Sequence, residues 1–168
     1  MAKNNSSDFD ALEKILDNII KSIELCLNVK LQISSLILLY SGIDIIAWLN
    51  RPASKERVTR KDFIRWVDDY LSPNINIKYE AIDLYAAHCA IVHSYSFSSR
   101  LSKKGEAKEI YYSWGKANIK SLQNVIDRRS KKSAVAIHIN DLLKAFKEGI
   151  EKFKLSIKND KEKKSCLR

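Results

Sequence analysis

Glycine and proline are scarce in this sequence, with four and two among 168 residues. With so few breakers and 45% hydrophobic residues, the chain is neither disordered nor built of many short strands, so a compact helical domain is expected. Gly42, Gly105, Gly115 and Gly149 stand far apart, which excludes a glycine-rich phosphate loop. Neither an HExxH helix nor a paired-cysteine spacing occurs, so no metal site is expected. Serine-nucleophile signatures are missing as well, and no cofactor is implied. The three cysteines, Cys26, Cys89 and Cys166, have no paired spacing, and the polar start Met1 to Ser7 is not a signal peptide. A reducing, cytoplasmic compartment is therefore the expectation.

What the chain does have is helical periodicity. Phe9, Leu12, Ile15, Leu16, Ile19, Ile20, Ile23 and Leu27 recur at steps of three and four, with Asp8 or Asp10 as the cap. The longest apolar run, Leu31 to Leu49, is close to the ~20 residues that span a bilayer. Gln32, Ser34, Ser35, Ser41 and Asp44 interrupt it, so a helix buried in a bundle explains it better. Arg51-Pro52 ends that helix. Thr59 caps a third, carrying Phe63, Trp66, Val67, Tyr70 and Leu71 and stopping at Ser72-Pro73. A fourth begins near Lys78 and carries Tyr79, Ile82, Tyr85, Ala86, Cys89, Ala90 and His93.

Beyond Ser94 the pattern loosens. Residues 95–105 read as a serine-rich loop. Glu109 to Gly115 and Ala134 to Ile139 read as strands that pair as a small ribbon flanking a helix near Asn118 to Arg128. Asn140 is expected to cap a last helix bearing Leu142, Leu143, Phe146, Ile150 and Phe153. The expected fold is mainly α, a helical bundle with a small β-ribbon insertion. It forms one domain over 1–155, with 156–168 as a basic tail expected to fray.

The net charge of +10 is uneven. Residues 1–50 hold four basic and six acidic groups, residues 100–132 hold ten and three, and residues 151–168 hold seven and three. Two basic segments fit a polyanion, most simply nucleic acid, although solvated lysines also keep a protein soluble.

With the other chemistries excluded, the histidines remain. His88 and His93 are five residues apart, so on one helix they diverge by roughly 140° at 100° per residue. From a single straight helix they should not face one substrate or chelate a metal together. Two copies of the helix at a two-fold axis would bring one histidine from each chain together. Either residue could instead fill a polar gap in the core, and His138, inside a strand-like run, reads as structural.

The run Asp83-Leu-Tyr-Ala-Ala-His-Cys-Ala-Ile-Val-His93, followed by Ser99-Arg-Leu-Ser-Lys-Lys-Gly105 and Ile110-Tyr-Tyr-Ser-Trp-Gly115, resembles the HEPN superfamily. More narrowly, it is similar to small bacterial HEPN proteins borne by plasmids and phages. Tyr40-Ser-Gly-Ile-Asp44 and Leu142 to Gly149 fit the same pattern, so the likeness touches residues 36–153. The resemblance implies a helical-bundle homodimer whose motifs, an arginine and a histidine four to six residues apart, line a shared cleft. It also implies metal-independent ribonuclease activity in many members, a toxin or phage-defence setting, and an antitoxin or regulatory protein as a further partner. His93 falls on the motif histidine. Position 88 holds histidine where the family has arginine, and Cys89 replaces a polar residue.

The chemistry explains why that departure matters. Metal-free RNA cleavage uses the 2′-hydroxyl as nucleophile, a base to take its proton, and positive charge at the phosphate. A histidine titrates near neutrality, which suits His93 as the acid–base group. Arginine holds a phosphate through a fixed fork of donors; His88 does only part of that. Arg100, on the following segment with Lys103 and Lys104, is a candidate to fold back and supply the missing charge; more simply, it is a solvated loop charge or a contact to backbone phosphate. Asp44, in an apolar helix, needs a partner if buried and is a candidate to orient His93. Tyr111, Tyr112 and Trp114 beside Lys108 and Lys116 suit base stacking, or an aromatic core patch. An inactive HEPN module binding RNA, a nucleotide or a protein is the alternative reading.

Overall fold

The computed structural model describes residues 4–52, 54–72, 79–129 and 133–159. Among them the chain is mainly helical, with one small parallel sheet. Helix α1 spans Asn4–Asn28, α2 Gln32–Asn50 and α3 Arg60–Trp66, which continues as a π-helical turn over Val67–Leu71. Then follow α4 (Ala81–Ser94), the short α5 (Arg100–Lys103), β1 (Glu109–Ser113), α6 (Ile119–Arg129), β2 (Ala134–His138) and α7 (Ile139–Asn159).

Helix α2 is the middle of the bundle. Leu36, Leu39, Tyr40, Ile43 and Ile46 are fully buried, and α1, α3, α4 and α7 all pack on it. It is long and apolar enough to cross a membrane by length and composition; its buried face is the middle of the bundle core, while Ile45 and Trp48 stay exposed. Each fully buried large side chain contributes about 1.5–3 kcal/mol, so this helix organises the fold. Leu12, Leu16 and Ile23 bury one stripe of α1 against it while Ile15 is left outside. Gly42 marks the tightest crossing: a Cβ there would stand 2.8 Å from the buried Phe146 ring of α7. Gly149 of α7 plays the same part against the π-helical turn, where a Cβ would meet the Tyr70 carbonyl oxygen at 3.0 Å.

Several boundaries differ from the sequence reading. Helix α1 already runs from Asn4, so Asp8 and Asp10 lie inside it and do not cap it; nothing before Phe9 breaks a helix. Thr59 does stand at the start of α3, where the Asp62 carboxylate accepts from its backbone N–H at 2.8 Å and its hydroxyl at 2.6 Å. Pro73 and Lys78 lie outside the described residues, and α4 starts at Ala81, later than expected. Asp83 fixes that start, accepting from the N–H of Glu80 at 2.9 Å and from the N–H of Lys108 at 2.7 Å. It thereby ties the helix to the strand that follows it. Residues 95–105 are not all loop, since α5 forms inside them.

The two strands run parallel, from Glu109 opposite Ala134 to Ser113 opposite His138. A parallel pair needs a crossover, and α6 supplies it as a βαβ unit. The Gln123 side chain clips α6 to β2, accepting from the Ala136 N–H at 2.8 Å and donating to the Ala134 oxygen at 3.3 Å. Helix α7 begins at Ile139, which puts Asn140 in its first turn and not at the cap. His138 performs that duty: its Nδ1 accepts from the Asn140 N–H at 3.2 Å, and its Nε2 donates to the Gly115 oxygen at 3.0 Å. Helix α7 runs on to Asn159; the rest of the basic tail, 160–168, lies outside the described residues.

Candidate active site

Helix α4 offers two faces of different character. Its inward face carries Leu84, Ala87, His88 and Ile91, all buried. Its outer face carries Tyr85, Cys89 and His93, spaced by four so that they stack in one row.

His88 is 5% exposed, and its ring stacks on Phe63 of α3 with centroids 5.2 Å apart and planes 20° apart. Tyr40 and Tyr85 flank it at 6.4 and 6.0 Å. Its Nδ1 is buried with no hydrogen-bond partner. Burial therefore pushes its pKa below the ordinary histidine value; the charge of Asp44 opposes that shift and His93 adds to it. A neutral ring among aromatics is a poor holder of phosphate.

His93 is exposed, yet its ring meets that of His88 edge to face at 5.0 Å. The expected 140° divergence survives as a difference in exposure, not as a separation. Side chains on a helix lean toward its N-terminus, so His93 reaches back over the turn that holds His88.

The chain after His93 folds back on itself. Tyr95 ends α4 in the left-handed conformation, φ 48°, and the N–H of Ser96 bonds the Ala90 oxygen at 3.0 Å. Ser99 and Ser102 then cap α5 reciprocally: the Ser102 N–H reaches Ser99 Oγ at 3.2 Å, and the Ser99 N–H reaches Ser102 Oγ at 2.9 Å. Ser98 donates to Glu109 at 2.7 Å and holds this segment against β1. The outcome is an open groove of about 800 Å³ whose walls include Cys89, His93, Arg100, Lys103 and Lys104. Four of the six candidate residues, His93, Arg100, Lys103 and Lys104, thus share one groove, with His88 beneath it.

Asp44, on α2, is half-buried and does not line this groove. Its charge acts on His88, Tyr85 and Cys89. Tyr112 and Trp114 pack on the core, and the Tyr112 hydroxyl bonds that of Tyr40 under α4; Tyr111 keeps an exposed ring. Most of that aromatic run is thus core patch.

No protein-family model, curated protein or solved structure matches this chain. The site is therefore read from its own chemistry.

Two residues escaped the sequence reading. Tyr85 stands one turn before Cys89 on the outer row, and Arg60, from the first turn of α3, holds its guanidinium 5.9 Å from the centre of the Tyr85 ring. Burial raises the Cys89 thiol pKa, and the nearby Tyr85 hydroxyl and Arg60 charge offset this only in part, so Cys89 is a thiol and not a thiolate nucleophile. The spacing of Tyr85, Cys89 and His93 was visible in the sequence. The approach of α3 to α4, which delivers Arg60, was not.

Proposed function

We propose that this chain is a HEPN-type RNA-binding protein that cleaves RNA without metal, acting as a cytoplasmic homodimer in a toxin or phage-defence setting. The observation that carries the reading is the groove that joins exposed His93 to Arg100, Lys103 and Lys104.

In this reading His93 takes the proton of a 2′-hydroxyl, and the freed oxygen attacks the adjacent phosphorus. The 5′-oxygen of the next nucleotide leaves with a proton, giving a 2′,3′-cyclic phosphate and a 5′-hydroxyl. Arg100, helped by Lys103 and Lys104, stabilises the charge that builds on the phosphate oxygens, the task a fixed guanidinium performs best. His88 is a positioning residue: buried and stacked on Phe63, it supports the His93 ring from below. The second acid–base group comes from His93 of the other copy, since one exposed histidine per chain leaves the leaving oxygen without an acid.

Labelled RNA incubated in EDTA is expected to yield 2′,3′-cyclic phosphate ends with the wild type and none with His93→Ala. Intact RNA with wild type would remove the enzymatic reading.

One observation favours a second reading, an inactive HEPN module that binds RNA, a nucleotide or a protein such as an antitoxin. Position 88, where the resemblance implies arginine, holds a buried ring whose pKa lies below the ordinary value. The substitution His88→Arg separates the two. Faster cleavage marks an enzyme limited by that position, whereas salt-sensitive binding with no cleavage by either protein marks a binding module.

A further inference from the structure

The outer row of α4 continues past the groove. Tyr85 and His93 are eight steps apart, about 12 Å along the axis at 1.5 Å per residue, with Cys89 midway. Arg100, Lys103 and Lys104 stand at the His93 end. At the other end is Arg60, exposed, over the Tyr85 ring, with a charge that reaches Cys89. Its neighbour Lys55 is committed to Asp62 at 2.7 Å, while Arg60 forms no ion pair among the described residues. Asp44 is the acid whose charge also acts on Tyr85 and Cys89, where it opposes the larger effect of Arg60.

We infer that Arg60 anchors a second phosphate of the RNA strand, distinct from the one attacked at His93, so that the strand lies along the Tyr85–Cys89–His93 face of α4. This rests on the RNA reading above and adds a direction to it. The axial rise of ~3.4 Å per nucleotide in a stacked strand is much shorter than the row, so Arg60 and the Arg100 cluster engage different phosphates. Contacts of this kind set register and affinity and carry no base identity. Arg60 therefore acts on binding and not on the bond-breaking step. A guanidinium held over an aromatic ring is also partly ordered before the ligand arrives.

The test is binding of a fluorescent, uncleavable 2′-O-methyl oligoribonucleotide of twelve residues, followed over a salt series. Arg60→Ala is expected to weaken binding roughly tenfold at low salt and to flatten the log–log salt slope by about 0.7. Arg60→Lys should restore most of the slope, and Lys144→Ala, on exposed α7 surface, should change nothing. With a dinucleotide, which has a single internucleotide phosphate, wild type and Arg60→Ala should bind alike. In cleavage the same substitution should raise KM and leave kcat in place. Wild-type affinity and slope in Arg60→Ala would overturn the inference and leave the RNA reading standing. Equal losses for the dinucleotide and the longer strand would overturn it too, by placing Arg60 at the first phosphate. A wild-type protein that binds no RNA at any salt would remove both.

Discussion

His88 and His93 sit on the same helix with their rings in contact, but they belong to different environments. One is stacked on Phe63 with a buried, unpartnered Nδ1; the other opens onto a groove with an arginine and two lysines. The comparison shows that residue type and spacing do not assign a role: burial does. A buried histidine stacked on an aromatic ring is held toward its neutral form, and contributes shape. A histidine at the rim of a cationic groove can exchange a proton.

The largest effect that would break this contrast is on the exposed ring. His93→Ala should lower cleavage by about a thousandfold, within the range of lost acid–base catalysis, with its thermal midpoint close to that of wild type. A folded His93→Ala protein with undiminished cleavage would refute the assignment.

Truncation of the buried ring should do the reverse. His88→Ala removes a stacked core side chain and should cost about 3 kcal/mol in urea unfolding. His88→Phe keeps the ring and deletes a buried nitrogen that lacks a partner, so it should be neutral or stabilising. A large loss in His88→Phe would mean that the nitrogen makes a bond that matters.

Stability should also depend on pH through His88. Its pKa is lower in the folded protein than in the unfolded chain, so below about 6.5 the unfolded chain binds more protons than the native state. The contribution is complete above that pH and declines as pH falls through the folded value. Urea midpoints at pH 7 and pH 5 should converge in His88→Phe relative to wild type, because the substitution removes this term. An identical pH dependence in the two proteins would assign it elsewhere.

The smallest effect concerns the turn that folds Arg100 back. Tyr95 holds φ 48° without being glycine, and Tyr95→Gly should stabilise the protein by up to about 1 kcal/mol by calorimetry, since glycine adopts this conformation without strain. Destabilisation would show that the exposed ring makes contacts worth more than the strain.

Much of the fold was legible because it follows from local pattern. The apolar run of α2 and the spaced rings of α7 identify core helices whatever their neighbours. The same holds for two short β-branched or aromatic segments with a helix between them. Their parallel pairing was harder to foresee, because it depends on the crossover by α6 and on clips such as Gln123. Caps were misplaced where polar residues permit helix without demanding it, as at Asp8, Asp10 and Asn140. In the site, the row Tyr85, Cys89 and His93 is helical arithmetic, and Arg100 needed only a short fold-back. Arg60 is separated from that row by more than twenty positions, and tertiary packing alone brings it near. The contact between the two histidine rings was missed because angular separation around a helix ignores the lean of its side chains.

The most direct measurement is cleavage of one labelled RNA, in EDTA, by wild type, His93→Ala and His88→Phe, with folding of each checked by circular dichroism. The account predicts cyclic phosphate ends from wild type and from His88→Phe, and none from His93→Ala. Loss of cleavage in a folded His88→Phe protein, with His93→Ala still active, would contradict it.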